Sequence, residues 1–303
     1  MISVVLCTYN GSKYIEKQLE SIMNQTVMPD EVIIQDDCSD DDTVFLCEKF
    51  IKNNQLSWNV TVNENRKGYR LNFVTALRKT NGDIVFLCDQ DDIWYSNKVE
   101  VMTGLMDIDE SIKSLASTVD RIDEKGTIIE KHLKHPYRKN NGLKKISAKE
   151  FYNFPQYMGM TMALKKELID RLDEDYADAI THDMFCNYYA VRMDGLYFLD
   201  KALTKRRSTG ENISFKESEK VLKEKYKGNK QLRKVSENLI ILEHFKKIDK
   251  SKNIEDKDLD ENIEILRVRK ENLDSKSKKK TIANCGQIIR INGAKEFIKD
   301  ILS

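Results

Sequence analysis

No Cys-x-x-Cys pair occurs in this chain: the six cysteines, Cys7, Cys38, Cys47, Cys88, Cys186 and Cys285, are scattered. That excludes a disulfide framework and points to a reducing compartment. Long apolar runs are missing too. No stretch approaches the roughly 20 apolar residues of a membrane-spanning helix. The apolar start Ile2–Ser3–Val4–Val5–Leu6–Cys7 is too short for a signal peptide and lacks its basic leader. The expectation is a cytoplasmic protein, at most peripheral at the inner face of the plasma membrane. No Gly-x-Gly-x-x-Gly and no P-loop lysine follow the first apolar run, so neither a standard dinucleotide site nor a P-loop enzyme is supported. Net charge is nearly absent at +1, and no nucleic-acid partner is expected. The balance hides an asymmetry: residues 1–215 carry 28 Lys and Arg against 34 Asp and Glu, whereas residues 216–303 carry 23 against 16. Such a split suggests an acidic working part and a basic docking part.

What is present is acid in one particular place. Asp83–Ile84–Val85–Phe86–Leu87–Cys88–Asp89–Gln90–Asp91–Asp92–Ile93–Trp94 runs from an apolar segment straight into three carboxylates. The apolar part reads as a strand buried on both faces. Its carboxyl end is where open α/β sheets place ligands. Crowded carboxylates repel unless a cation neutralises them, and oxygen-only ligands suit Mg²⁺ or Mn²⁺ shared with substrate phosphates. The alternative is a solvated turn in which aspartate caps the next helix.

In order along the chain, Ile2–Cys7 reads as a buried strand and Tyr14–Met23 as a helix with Ile15, Leu19, Ile22 and Met23 on one face. Glu31–Gln35 is a second buried strand ending in Asp36–Asp37, with Ser39 or Asp40 capping a helix through Val44, Leu46 and Phe50. Trp58–Val62 alternates as a third strand, and a helix with Leu71, Phe73, Val74 and Leu77 precedes the acidic stretch. Alternating strands and helices over about 90 residues predict an α/β fold with a doubly wound parallel sheet.

Three segments together resemble family-two inverting glycosyltransferases: Ser3–Asn10, then Val32–Thr43 with its Asp36–Asp37–Cys38–Ser39, then Asp89–Gln90–Asp91–Asp92–Ile93–Trp94. The last form resembles the rhamnosyltransferase-like members of bacterial polysaccharide pathways. The resemblance implies a GT-A fold, Rossmann-like with a mixed, mostly parallel sheet flanked by helices, that binds a UDP- or dTDP-linked sugar. It implies that Thr8 and Tyr9 pack on the nucleobase, with Asn10 beside them, and that Asp37 accepts from the base imide. Asp91 and Asp92, with Asp89 as a third candidate and Gln90 between, match the DXD element that holds Mn²⁺ or Mg²⁺ against the diphosphate. Arg66, Lys67 and Arg70 flank Gly68 in a basic loop. Arg70 and Asn72 are minor donor-binding candidates there, because this region contacts the nucleotide in the family.

The division expected from the sequence is a GT-A domain at 1–215 and a basic helical region at 216–303. Residues 1–97 form the nucleotide-sugar half of the first, and residues 98–215 the acceptor half. In the acceptor half, Ser114–Val119 reads as a strand and His132–Lys144 as a polar surface loop, whose His132 and His135 lack a third ligand for a metal. Gln156–Leu164 reads as a strand with Gly159 at a close approach. Ile180–Thr181–His182–Asp183–Met184–Phe185 resembles the family's general-base segment, with Asp183 as the base. Its plain alternative is a helix cap by Thr181 or Asp183. His182 is either an orienting group or a packing residue.

Leu196–Asp200 and Leu203–Arg207 read as a closing hairpin. The subgroup's Arg-x-His-x-x-Asn pattern is met by Arg207 and Asn212, but Thr209 stands where histidine is expected. Arg207 is expected on the diphosphate. Beyond residue 216, amphipathic helices at Glu237–Ile248, Leu259–Leu273 and Gln287–Leu302, broken near Asn292–Gly293, flank a basic patch of Lys276 and Lys278–Lys280. That region is expected to pack as a helical appendage or to dock on anionic lipid.

The expected activity is inverting, metal-dependent transfer of a sugar, from dTDP-rhamnose or a UDP-hexose, to a hydroxyl of a lipid-linked bacterial surface polysaccharide. The rivals are a non-catalytic nucleotide-sugar or glycan-binding module and a same-fold nucleotidyltransferase. The missing Gly-rich basic signature disfavours the nucleotidyltransferase, and the retained Asp91, Asp92 and Asp183 disfavour the silent module.

Overall fold

The computed structural model describes residues 1–133, 135–136, 142–155, 157–172, 180–208 and 226–303. The chain forms two compact units, one of Met1–Ile146 with Gln156–Gly210, the other of Ser147–Pro155 with Glu211–Ser303.

The first unit is built on one mixed sheet. Its strands are β1 (Ile2–Thr8), β2 (Glu31–Asp36), β3 (Asn59–Val62), β4 (Ile84–Asp89), β5 (Ile93–Trp94), β6 (Ser114–Ile122), β7 (Ile128–Glu130), β8 (Leu143–Lys145), β9 (Met162–Lys165) and β10 (Leu196–Arg207). Their order is β3-β2-β1-β4-β9-β6-β10-β5, with β7 on β6 and β8 on β10. The β3-β2-β1-β4 part is parallel, as the alternation of strands and helices predicts. β9 enters antiparallel between β4 and β6, and makes the sheet mixed.

Helices α1 (Ile15–Met23), α2 (Thr43–Asn53) and α4 (Lys98–Ile108) cover one face; α3 (Gly68–Leu77) and α7 (His182–Arg192) lie in sequence between the other elements, with short α5 (Ala148–Asn153) and α6 (Lys166–Ile169). The principal core holds Ile15, Leu19 and Ile22 of α1 with Val4, Leu6, Ile34 and Phe86 of the sheet and Met102 and Met106 of α4. Each such side chain contributes about 1.5–3 kcal/mol on burial. The continuous apolar runs of β1, β2 and β4 match strands buried along almost their whole length.

Several local expectations need correction. Neither Ser39 nor Asp40 caps α2. The helix begins at Thr43, whose N–H is accepted by the Asp41 carboxylate at 3.0 Å, while Ser39 donates its hydroxyl to Asp36 at 2.6 Å. The strand expected over 156–164 starts only at Met162, because Gly159–Thr161 forms a 3₁₀ turn. The expected hairpin is the single strand β10, whose polar centre is absorbed by register shifts between Leu199 and Thr204. His135 is half-buried and stacks on Phe198 at 3.9 Å between ring centroids, so it is a packing residue rather than part of a solvated loop. Residues 134, 137–141, 156 and 209–212, on which other expectations fall, lie outside the described residues.

The second unit is helical: α5, α8 (Lys230–Ser251), α9 (Lys257–Asp274), α10 (Lys278–Ala283), α11 (Cys285–Asn292) and α12 (Ala294–Leu302). A capping box of Ser147 and Glu150 starts α5. The expected break falls at Gly293, where φ is +85°. Buried Arg269 donates to Asp300 at 2.7 and 2.9 Å and to Glu296 at 3.3 Å, which ties α12 to α9. No helix among the described residues is long and apolar enough to cross a membrane.

Candidate active site

The ends of β1, β2 and β4 bring the predicted residues toward one edge. At the end of β1, the Tyr9 N–H donates to Gln90 Oε1 at 2.8 Å and Gln90 Nε2 donates back to the Tyr9 carbonyl at 2.9 Å. Gln90 therefore locks the loop after β1 to the acidic turn. A Cβ at Gly11 would displace the Gln90 amide from this position. The Tyr9 ring is partly open, with the Arg66 guanidinium 4.0 Å from its centroid. Asn10, at φ +49°, takes Ser39 Oγ on its N–H and the Asp40 N–H on its side chain.

Other expected nucleotide ligands are turned inward. Thr8 is buried and donates to Asp36 Oδ2 at 2.7 Å. Asn72 is buried, accepting from Asn63 at 2.8 Å and donating to the Gln35 carbonyl at 2.9 Å. Asp37 accepts from Asn63 Nδ2 and from the backbone N–H groups of Lys67 and Gly68 at 2.7–2.8 Å. It thereby fixes the start of α3, where a carboxylate is favoured by the exposed amides. Arg70 contacts Tyr69 at 3.1 Å, and its charge acts on His182.

The acidic turn follows β4. Burial, together with the charges of Asp91 and Asp183, pushes the Asp89 carboxyl up to about 7. Burial raises Asp91, and burial with Asp91 and Asp89 nearby raises Asp92 well above the usual carboxylate range. Asp92 Oδ1 accepts the Arg207 N–H at 2.9 Å, while its Oδ2 is buried with no partner among the described residues. Among the described residues no three His, Cys, Asp or Glu side chains form a ready-made metal cluster. The donor set nevertheless fits a hard divalent ion: oxygens only, mutual repulsion to relieve and one orphaned oxygen. Such ions commonly use one or two carboxylates and take the rest of their ligands from substrate phosphates and water.

Arg207, expected on the diphosphate, is instead buried as a brace. Its side chain donates to the carbonyls of Asp91, Asp123 and Glu124 at 2.8–3.0 Å. The charge of the neighbouring Arg206 favours the ionised forms of Asp89, Asp91 and Asp92, and that of Arg207 also acts on Asp91.

Asp183 stands on the first turn of α7. Its Oδ1 accepts from the Thr181 hydroxyl and from the Met184 N–H, the latter at 2.9 Å. Thr181 holds the cap position without bonding a helix amide. Oδ2 is left facing the Gly159 turn, where a Cβ at Gly159 would lie 3.5 Å from it. His182 stacks on Phe73 at 4.2 Å and is lowered by burial, and its Nδ1 has no partner among the described residues, the contacts of a packing residue.

Sequence reasoning missed Lys98. It is fully buried, donates to the Met160 carbonyl at 2.6 Å and Thr204 Oγ1 at 3.0 Å, and sits 4.0 Å over the Trp94 ring. Burial lowers it to about 7, although Cys88, Asp92 and Asp89 favour its charge. The available signal was a lysine at the first position of a helix, where a cation opposes the dipole.

The family described as "Glycosyl transferase family 2" matches residues 3–173. The chain is 28% identical over 236 residues to the dTDP-rhamnosyl transferase RfbG of Shigella flexneri, covering 70% of this chain and 75% of that protein. It is 27% identical over 217 residues to an Escherichia coli chondroitin synthase, covering 71% of this chain and 30% of that protein. Among solved structures, residues 1–349 of Staphylococcus aureus TarS in complex with UDP-GlcNAc superpose with a TM-score of 0.63 at 19% identity, covering 99% of this chain and 81% of that one. The mannosyltransferase PcManGT from Pyrobaculum calidifontis, in complex with GDP-Man and Mn²⁺, gives 0.60 at 15% identity over 99% and 86%. These structural likenesses show a shared fold.

Proposed function

The chain belongs to glycosyl transferase family 2, and we propose that it transfers a sugar, with inversion, from a UDP- or dTDP-linked donor to a hydroxyl of a bacterial surface polysaccharide acceptor. The carrying observation is the placement of Asp183 at the start of α7, where one carboxylate oxygen faces the Gly159 turn and its charge acts on Asp89 at the end of β4. Rhamnose is the first donor sugar to try, on the likeness to RfbG.

In this reading Tyr9 stacks on the base, and Asp37 receives its imide while holding α3. Asp183 takes the proton of the acceptor hydroxyl as that oxygen bonds to the anomeric carbon. The bond from that carbon to the diphosphate breaks on the opposite side, and its electron pair leaves with the nucleotide. Positioned acid–base groups of this kind give about 10²–10⁴-fold in rate. Asp91 and Asp89, with the free oxygen of Asp92, are the groups that would hold Mn²⁺ or Mg²⁺. Bound there, the ion would neutralise charge on the leaving diphosphate. Arg206 would add to that field.

A lipid-linked acceptor and peripheral membrane contact are supported by the second unit. It exposes Lys276, Lys278 and Lys279 together with Ile282, Ile289, Ile298 and Leu302.

The test is release of nucleoside diphosphate with Mn²⁺ across UDP- and dTDP-sugars, for the native chain and Asp183→Asn. Turnover by the native chain, reduced at least 100-fold in the variant at unchanged nucleotide affinity, supports the proposal. No turnover with any donor and acceptor extract, with nucleotide binding indifferent to metal, refutes it.

A further inference from the structure

A cavity of about 490 Å³ is lined by Tyr95, Asp120, His132, Lys201 and Ala202, none of which the proposed chemistry uses. Its volume lies within the roughly 300–1,000 Å³ of ligand clefts. β10 creates the opening. The strand shifts register against β6 between Leu199 and Ala202 and again between Ala202 and Thr204, a bulge of the kind that re-aims side chains beside functional sites.

The pleat decides which face the cavity opens on. Phe86, Ala163 and Leu115 are mutual register partners and all lie in the core covered by α1 and α4. Side chains alternate along a strand, so Asp89 on β4 and Asp120 on β6 both point to the opposite face. Ser114, in the same series as Asp120, bonds Asn187 of α7 at 2.7 Å, which identifies this as the α7 face. Lys205 pairs with both Asp120 and Ile93, and Tyr95 follows Ile93 by two, so Lys205 and Tyr95 share it. The cavity therefore opens on the sheet face that carries Asp89 and Asp183. β6 is two strands from β4, with β9 between. At about 4.8 Å per strand that is about 10 Å, roughly the span of two linked sugar rings.

The carboxylate of the lining is held in place. The Tyr95 hydroxyl donates to Asp120 Oδ2 at 2.5 Å, and the His132 N–H donates to Oδ1 at 2.8 Å. Both carboxylate oxygens are thus aimed, and each keeps a lone pair. Half-buried Lys201 supplies a donor to the lining, and Lys205, outside it, lies 4.8 Å from the Tyr95 ring centroid. Fixed acceptors, an ammonium donor and one aromatic ring among apolar surface suit a polyhydroxylated ring, which has both polar edges and apolar faces.

We infer that this cavity is an acceptor subsite, holding the sugar unit next to the one whose hydroxyl is attacked. The inference rests on the glycosyltransferase reading above. It makes the enzyme a reader of acceptor length: transfer onto a chain of two or more sugars is favoured over transfer onto one.

The experiment uses the full chain with UDP- and dTDP-sugars. The acceptor probes are mild-acid fragments of bacterial surface polysaccharides, sorted into mono-, di- and trisaccharides. The native enzyme should show an acceptor KM at least tenfold lower for di- and trisaccharides than for the monosaccharide. Ala202→Trp, which fills the cavity, should erase that advantage while monosaccharide transfer and slow donor hydrolysis stay unchanged. Lys201→Ala, a substitution that leaves the packing alone, should reduce it about threefold. An unchanged length preference in both variants overturns the subsite, as does a native enzyme indifferent to length. Absence of donor hydrolysis and of transfer in the native chain overturns the underlying activity instead.

Discussion

The Lys98 ammonium donates to the Met160 carbonyl at 2.6 Å, and so fixes the turn that faces Asp183. Replacing Lys98 with Met keeps the bulk and deletes the donor. The Met160 carbonyl would keep only its 3.4 Å bond from the Thr204 hydroxyl, and the lost hydrogen bond should cost about 1 kcal/mol, read as a lower midpoint in urea. Because the Gly159 turn is then free to shift against Asp183, kcat should fall about tenfold while nucleotide affinity is retained. Calorimetric titration with UDP, beside steady-state kinetics, separates these effects. A parallel loss of nucleotide affinity would place Lys98 in donor binding instead.

Asp91 repels Asp89 and Asp92 at the end of β4. Asp91→Asn should stabilise the ligand-free protein by about 0.5–1 kcal/mol, since it relieves like-charge crowding at a functional site. The same change should abolish the dependence of nucleotide binding on divalent metal. Thermal unfolding with and without Mn²⁺ and UDP checks both. A variant less stable than the native chain, with metal dependence intact, would remove Asp91 from the cation site.

Tyr9 presents an aromatic face whose present neighbour is Arg66. Tyr9→Ala should weaken UDP or dTDP binding about two- to tenfold, the range of an aromatic stacking contact. Arg66→Ala should have the smaller effect, because its guanidinium can move aside. Fluorescence titration with each nucleotide distinguishes the two; equal affinities in native and Tyr9→Ala proteins would exclude stacking on this ring.

Glu296 reports on the helical unit. Burial would raise its carboxyl, but hydrogen bonds from Lys299 and Gln231, with the charges of Lys234 and Arg269, outweigh that and hold it at about 2. A carboxyl lowered on folding stabilises the fold above its ordinary value of 4.5, and that contribution is lost as pH falls toward 2. Glu296→Gln should therefore lower stability at neutral pH and flatten its decline between about pH 4.5 and 2. Urea midpoints across that range supply the measurement, and an unchanged slope would contradict it.

The parts of this molecule most legible in its sequence are those governed by local pattern. β1, β2 and β4 announce themselves because strands buried along almost their whole length demand unbroken apolar runs. Asp89–Asp92 and Asp183 stand out because carboxylates at a strand end or on a first helical turn fit a short list of roles. What stayed hidden depends on partners distant in sequence. Lys98 reads as a surface residue until Met160 and Thr204 are seen to enclose it. β10 looked like a hairpin because Asp200–Lys201 resembles a turn, whereas β6 holds both halves in one strand. Thr8 and Asn72 looked available to a nucleotide until their hydrogen bonds to Asp36, Asn63 and Gln35 appeared.

Four consecutive residues at the end of β10 serve four separate places. Thr204 accepts from Lys98, Lys205 lies over Tyr95, Arg206 acts on the three carboxylates, and Arg207 braces the acidic turn from below. A one-residue insertion or deletion here would hand each duty to a neighbour with the wrong side chain, and no single compensating substitution could restore all four. The register shifts between Leu199 and Thr204 already absorb an irregular length. As related chains diverge, changes of length should accumulate on that side of Thr204, and the run from Thr204 to Arg207 should change by substitution alone.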